Sequence, residues 1–176
     1  MINVANGAGM AQGKDFSPLP KGTVLKGELQ LKFDNLGGVV VKSQNPDSKS
    51  ERLSARIIIS DERYAGRFVF HDFYLKDSKG QDAEQSDFIG EMTAQFAAIL
   101  EHSRSAHTVP DKYNIRNYTE LNGLPVVVKL GQRKNKQTGE VFNTVDCFLS
   151  PNPASQCHDE YQAYMNGSAS HQAGNF

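Results

Sequence analysis

Three cations cluster between residues 133 and 136, inside the segment QRKNKQTGEVFN (132–143). Arg133, Lys134 and Lys136 precede a Gly turn, and Phe142 follows that turn. Cations neutralise phosphates and an aromatic ring stacks on bases, so this combination is typical of a groove that follows a nucleic-acid backbone. A solvated Lys-rich turn is the alternative, because basic turns also discourage aggregation at strand edges.

A second group of residues lies in RFVFHDFYL (67–75), where aromatic residues occupy both faces of a predicted strand. The face with Val69, His71, Phe73 and Leu75 is expected to point into the core. The opposite face carries Phe68, Phe70 and Tyr74 beside Asp72. Those three rings predict a stacking platform for bases or, alternatively, a second buried face.

Two further cations belong to the outward faces of neighbouring strands. Arg56 would lie beside the rings, where it contacts a phosphate or stacks on a base, although a lone arginine is often only solvated. Lys129 lies four positions before Arg133 on the same predicted strand, so the two side chains are expected on the same face. We therefore expect a nucleic-acid-binding site formed by Arg56, Phe68, Phe70, Tyr74, Lys129, Arg133, Lys134, Lys136 and Phe142. Lys112, Tyr113, Arg116 and Tyr118, in the link before the hairpin, are expected to extend the same groove.

The elements that must position these residues follow from hydrophobic periodicity. Alternation predicts strands over TVLKGELQLKF (23–33), VVVKS (39–43), LSARIIIS (53–60), RFVFHDFYL (67–75), PVVVKLGQRKN (125–135) and EVFNTVDCFLS (140–150). Spacing of three or four in Phe88, Met92, Phe96 and Ile99 predicts one helix over 87–107. This order predicts a mainly β protein, an OB-like five- or six-stranded antiparallel barrel with one inserted helix. An open α+β sheet with a helix over one side is the alternative.

Length and composition predict one domain with flexible ends. We expect a flexible N-terminal arm over 1–15, the OB-like nucleic-acid-binding domain over 16–150 and a polar C-terminal tail over 151–176. The formal net charge is -1, but the charges are unevenly distributed: residues 77–101 carry a net charge of -5 and residues 102–136 one of +5. No apolar stretch is long enough for a bilayer, and two cysteines make no disulfide framework, so we expect a cytoplasmic, reduced protein without membrane contact.

Catalytic chemistry is weakly supported. His71 and Asp72 are adjacent on a strand, so their side chains point to opposite faces and cannot form a dyad. Cys147, Cys157, His158 and His171 lack zinc-ligand spacing, and no phosphate-binding or nucleophile motif is present. We therefore expect no enzymatic activity, no cofactor and no metal site.

The order and spacing of short motifs over residues 20–150 resemble a family of small phage-encoded single-stranded-DNA-binding proteins. The residues that carry the resemblance are the Y-x-G-R turn at Tyr64, Gly66 and Arg67, the L-x-G at Leu121 and Gly123, and the G-E turn at Gly139 and Glu140. The resemblance implies an OB-like fold and single-stranded-DNA binding in the replication or recombination of a phage or mobile element.

The C-terminal segment departs from the tail that such proteins often carry, which is strongly acidic with a terminal aromatic. Here DEYQAYMNGSASHQAGNF (159–176) ends in Phe176 but has two acidic residues. Phe176 is the candidate contact for replication or recombination proteins, and the sequence is compatible with a homo-oligomer. The competing function is a β-barrel module that binds another phage or mobile-element protein and no nucleic acid.

Overall fold

A computed structural model describes residues 17–105 and 111–173, with side chains up to Gly167. Its strands are β1 (Val24–Leu31), β2 (Val40–Lys42), β3 (Glu51–Ile59), β4 (Phe68–Lys76), β5 (Pro125–Lys134) and β6 (Val141–Phe148). Its α-helices are α1 (Asp87–Ser103) and α2 (His158–Ala173). The predicted arm over 1–15 and the last two residues of the predicted helix lie outside the described residues.

The six strands form one antiparallel sheet in the described part of the chain. β1 pairs with β3 on one edge and β5 on the other, β5 pairs with β6, and β3 also pairs with β2 and β4. β4 and β6 therefore end the row of strands. The prediction of a mainly β antiparallel sheet with a helix inserted before the last two strands is confirmed at this level.

Side chains connect β4 with β6, whereas the described residues form no backbone ladder between these strands. The ring of Phe148 on β6 lies 5.2 Å from the ring of His71 and 5.5 Å from that of Phe73, both on β4. The closed barrel predicted from the sequence is therefore not observed as a continuous ladder. We call the junction of β4 and β6 the seam.

The core follows the alternation of the strands. Buried side chains come from every second position of β1, β3 and β4, and α1 covers them with its apolar stripe: Leu25, Leu29, Leu31, Leu53, Ala55, Ile57, Val69, Phe73, Phe96, Ile99 and Leu100. The helix stripe begins one residue later than predicted, because Ile89 is buried and Phe88 is exposed. One residue corresponds to a 100° rotation around a helix axis, which moves Phe88 off the buried face.

Gly27 allows β1 and β3 to approach closely. A Cβ at this position would lie 2.7 Å from the carbonyl oxygen of Ile58 and 2.7 Å from a methyl carbon of Ile57. No other residue fits there without a backbone shift, so the close pairing of β1 with β3 depends on this glycine.

The segment predicted as a polar tail contains α2, which packs on the outer face of β5. Tyr161 is buried against Val127 and Leu149. Its hydroxyl lies 3.0 Å from His102 Nδ1 on α1. No helix among the described residues has the length and apolar character to cross a membrane.

Candidate nucleic-acid interface

Two phenylalanines on β4 present their rings to solvent. The exposed fraction is 45% for Phe68 and 72% for Phe70. Their ring centroids lie 5.1 Å apart in an edge-to-face arrangement. Val69, between them, is buried, because successive side chains of a strand point to opposite faces. The alternative of two buried faces is therefore wrong for this part of β4.

Arg56 lies next to these rings on β3. It is the register partner of Phe70, and its guanidinium carbon lies 5.4 Å from the ring centroid of Phe68. Arg56 Nε donates a hydrogen bond of 2.8 Å to Gln30 Oε1, which fixes the orientation of the guanidinium. Its two terminal amino groups have no partner among the described residues. A planar cation in this position can stack on a base or bind a phosphate.

The rings border an open groove of about 410 Å³ at the seam. β4 supplies Phe68 and Phe70, and β6 supplies Val141 and Phe142, of which Phe142 is 45% exposed. Arg67 also lines the groove. Three rings from two separate segments of the sequence thus border one groove, at a place where the described residues form no backbone ladder between β4 and β6.

Hydrogen bonds hold the groove wall in place. Leu19 N donates to Asn143 Oδ1 at 2.9 Å, and Asn143 Nδ2 donates back to the carbonyl oxygen of Leu19 at 2.9 Å. Gln132 Nε2 donates to the same oxygen at 2.8 Å. The segment that enters β1 is therefore fixed to the β5–β6 hairpin, and the wall is formed before any ligand arrives.

The hairpin carries its cations beside the groove. Arg133 pairs with Phe142 across the ladder, so both side chains lie on the outer face. Lys134 and Lys136 follow at the exposed tip, where Gly139 turns the chain with a φ of 75°. None of these three cations forms an ion pair within residues 17–105 and 111–167, so their charges are available for phosphates.

Lys129, predicted to belong to the same set, lies apart from the groove. Its Nζ binds Glu160 Oε1 at 3.1 Å, and this hydrogen bond raises the pKa of Lys129. The alternation was correct, since Lys129 and Arg133 share the outer face of β5. However, α2 covers that face at Lys129, four residues before Arg133 along β5. The pattern of residues along β5 could not reveal this contact.

Tyr74 also lies outside the groove, further along β4. Its ring contacts that of Phe88 at a centroid distance of 5.8 Å. Arg52, the register partner of Tyr74 on β3, forms an ion pair of 3.4 Å with Asp72. Phe88 and Arg52 were not predicted from the sequence to be surface groups. The signal for Arg52 was its alternation with Arg56 on β3.

The link residues expected to extend the groove border a different cavity. Tyr113, Arg116 and Tyr118 line a space of about 490 Å³ against Phe96 and Leu100 of α1. Among the residues that the structure describes, this cavity and the groove share no lining residue. The expectation of one continuous site for these residues is therefore wrong.

The histidine and cysteine side chains considered for chemistry make contacts within the protein. His71 Nε2 lies 2.7 Å from Gln95 Oε1, and burial lowers the pKa of this histidine. Burial and a hydrogen bond with Cys157 raise the pKa of Cys147 to about 12, so its thiol stays protonated at neutral pH. Among the described residues, no group of three or more His, Cys, Asp or Glu side chains is arranged to hold a metal ion.

Comparisons with known proteins give distant structural similarity only. No family model matches the sequence, and no curated protein matches it. A chain from a solved structure, "Yeast RPA bound to ssDNA", aligns over 93% of this chain and 94% of its own length, with 12% identity and a TM-score of 0.32. A TM-score this low does not establish a shared fold.

Proposed function

We propose that this chain binds single-stranded DNA in the groove at the seam, with little sequence preference and without an enzymatic activity. The observation that carries the proposal is the convergence of Phe68, Phe70 and Phe142 on one open groove. These rings come from two strands that form no ladder with each other in the described part of the chain. The hairpin cations Arg133, Lys134 and Lys136, which form no ion pair within residues 17–105 and 111–167, lie beside the rings. Each element of the groove corresponds to one part of a nucleotide.

The rings are the surface for the bases. Every base has a flat π face, so an exposed ring holds any base and contributes about 1–3 kcal/mol per contact. Arg56 adds a cation above Phe68. Because stacking does not read the hydrogen-bonding edges of a base, this arrangement supports sequence-independent binding.

The hairpin cations are the surface for the backbone. Arg133, Lys134 and Lys136 lie on the side of the groove formed by Phe142. Each phosphate that they neutralise releases counterions, so the affinity falls as the salt concentration rises. The choice of DNA, and a role in the replication or recombination of a phage or mobile element in the cytoplasm, rests on the sequence resemblance. Recruitment of partner proteins through Phe176 stays a prediction, because Phe176 lies outside the described residues.

The decisive experiment is a fluorescence-anisotropy titration of labelled dT oligomer with Phe70→Ala. We expect affinity to fall about 5- to 150-fold, the equivalent of one lost stacking contact of about 1–3 kcal/mol. Tyr113→Ala is the matched control, because Tyr113 has an exposed ring (41%) in the other cavity. Unchanged affinity of Phe70→Ala would exclude base stacking on the rings of the groove. Loss of the folded circular dichroism spectrum would assign Phe70 to the core.

A protein-binding module is the second candidate, and one observation favours it. Among the described residues, β4 and β6 each leave one strand edge unpaired along the seam, and an extended peptide segment can add to such an edge. This alternative predicts no oligonucleotide binding at low salt together with a stable protein complex. Both candidate functions use the same groove, but only the first predicts binding of dT oligomer. The dT titration therefore separates them.

A further inference from the structure

The geometry points to a second stacking cluster for the same DNA strand, formed by Tyr74 and Phe88 at the far end of β4. This inference rests on the proposed function and extends its binding path. It adds a residue, Phe88, that the sequence pattern had assigned to the core.

The outer faces of β3 and β4 form an uninterrupted surface between the groove and this cluster. Phe68, Phe70, Asp72 and Tyr74 occupy alternate positions of β4, and their register partners are Ile58, Arg56, Ser54 and Arg52. At about 3.3 Å per residue, Tyr74 lies about 13 Å from Phe70 along the strand. A single DNA strand can span this distance, because OB-type domains bind several consecutive nucleotides.

The Tyr74–Phe88 cluster presents ring surface in a fixed position. The two rings are 5.8 Å apart and tilted by 49°, and Phe88 is 48% exposed. Phe88 lies in the first turn of α1, which Ser86 caps by accepting a hydrogen bond of 3.4 Å from Ile89 N. A capped helix start holds the ring without a flexible loop, so a base that stacks there restricts little protein motion.

The charges around this cluster differ from those at the groove. Arg52 is paired with Asp72, and both side chains are partly exposed. Asp87 and Glu91, at the start of α1, add negative charge. Phosphate neutralisation is therefore weak at this end, and the cluster contributes through stacking. Its contribution should depend little on salt, unlike that of the hairpin.

The experiment compares oligomer lengths at two salt concentrations. Site sizes in OB-type proteins range over about 4–16 nucleotides, so labelled dT oligomers of about 5 and about 15 nucleotides bracket the path. In the full chain, we expect Phe88→Ala to weaken binding of the longer oligomer at least 5-fold. The factor should be the same at both salt concentrations. Binding of the shorter oligomer should be unchanged, and Phe88→Tyr should retain the wild-type affinity.

The outcomes separate this inference from the proposed function. If Phe70→Ala weakens both oligomers and Phe88→Ala weakens neither, the second cluster is wrong and the groove stands. An equal loss for both lengths in Phe88→Ala means that Phe88 only supports the fold of β4, which also overturns the inference. If the wild-type chain binds neither oligomer, both proposals fail. Tyr113→Ala again serves as the exposed-ring control, and thermal melting verifies that each variant is folded.

Discussion

The two ends of β4 carry similar ring pairs in different electrostatic surroundings. Phe68 and Phe70 lie 5.1 Å apart, and Tyr74 and Phe88 lie 5.8 Å apart. Arg56 stands over the first pair, whereas the second pair adjoins Asp72 in its ion pair with Arg52. Rings define where bases can stack, but the charges around them define where the phosphate backbone is favourable.

This difference assigns separate roles to the two ends. Under the proposed function, the end at the groove would combine stacking with charge neutralisation, so it should provide most of the affinity for single-stranded DNA and nearly all of its salt dependence. The end at α1 should add stacking only. A variant that changes charge at one end therefore tests the comparison more directly than a variant that removes a ring.

The largest expected effect comes from the hairpin cations. Replacing Arg133, Lys134 and Lys136 together by Gln should reduce the slope of log affinity against log salt by about 2, at about 0.7 per phosphate of a single strand. Near 0.1 M salt this corresponds to an affinity loss on the order of 100-fold. Titrations of dT oligomer at several salt concentrations measure the slope.

Lys129→Gln is the matched control for the hairpin variant. It removes one cation from the same face of β5, but this cation already binds Glu160. We expect its slope to equal that of the wild-type chain. A slope that falls as much per cation as in the hairpin variant would mean that net charge, rather than the position of the cations, sets the salt dependence.

The sequence predicted which side chains of the first half of β4 are exposed and which are buried, because both depend on local alternation. Val69 is buried and Phe70 is exposed as the period of two requires. The groove could not be predicted in the same way, because its walls come from β4 and β6, which are far apart in the sequence and form no backbone ladder with each other among the described residues. Lys129 was misassigned because its partner, Glu160, lies 31 residues away on a helix whose surface shows almost no amphipathic pattern.

A smaller effect should follow from changing the charge at the far end of β4. Asp72→Asn removes one negative charge beside the path and releases Arg52 from its ion pair. A partly exposed pair is worth about 0–1 kcal/mol, so we expect the longer dT oligomer to bind up to about 5-fold more tightly at low salt. The gain should disappear at high salt and be smaller for the short oligomer.

Asp47→Asn provides the comparison for that variant. Asp47 is an exposed acid in the loop between β2 and β3. Removing its charge changes the net charge by the same amount without touching the row of residues on β4. Equal gains in the two variants would show that the far end of β4 has no particular contact with the strand.

The smallest effect concerns the inner side of the seam, beneath the exposed rings. His71 packs on Phe73 and Phe148, and burial lowers its pKa in the folded chain. Below the unfolded pKa of about 6.5 the unfolded chain therefore binds more protons, and the free energy of unfolding decreases as the pH falls. His102 adds to the same trend, because burial also lowers its pKa.

Urea unfolding at pH 7 and pH 5 measures this loss. In His71→Gln the difference between the two pH values should shrink without vanishing, since His102 still titrates. The exposed rings on the other side of β4 carry no such dependence, so Phe70→Ala should keep the wild-type pH profile of unfolding. If His71→Gln leaves the pH difference unchanged, His71 does not experience the burial that its contacts at the seam imply. The connection between β4 and β6 would then be looser than the ring distances indicate.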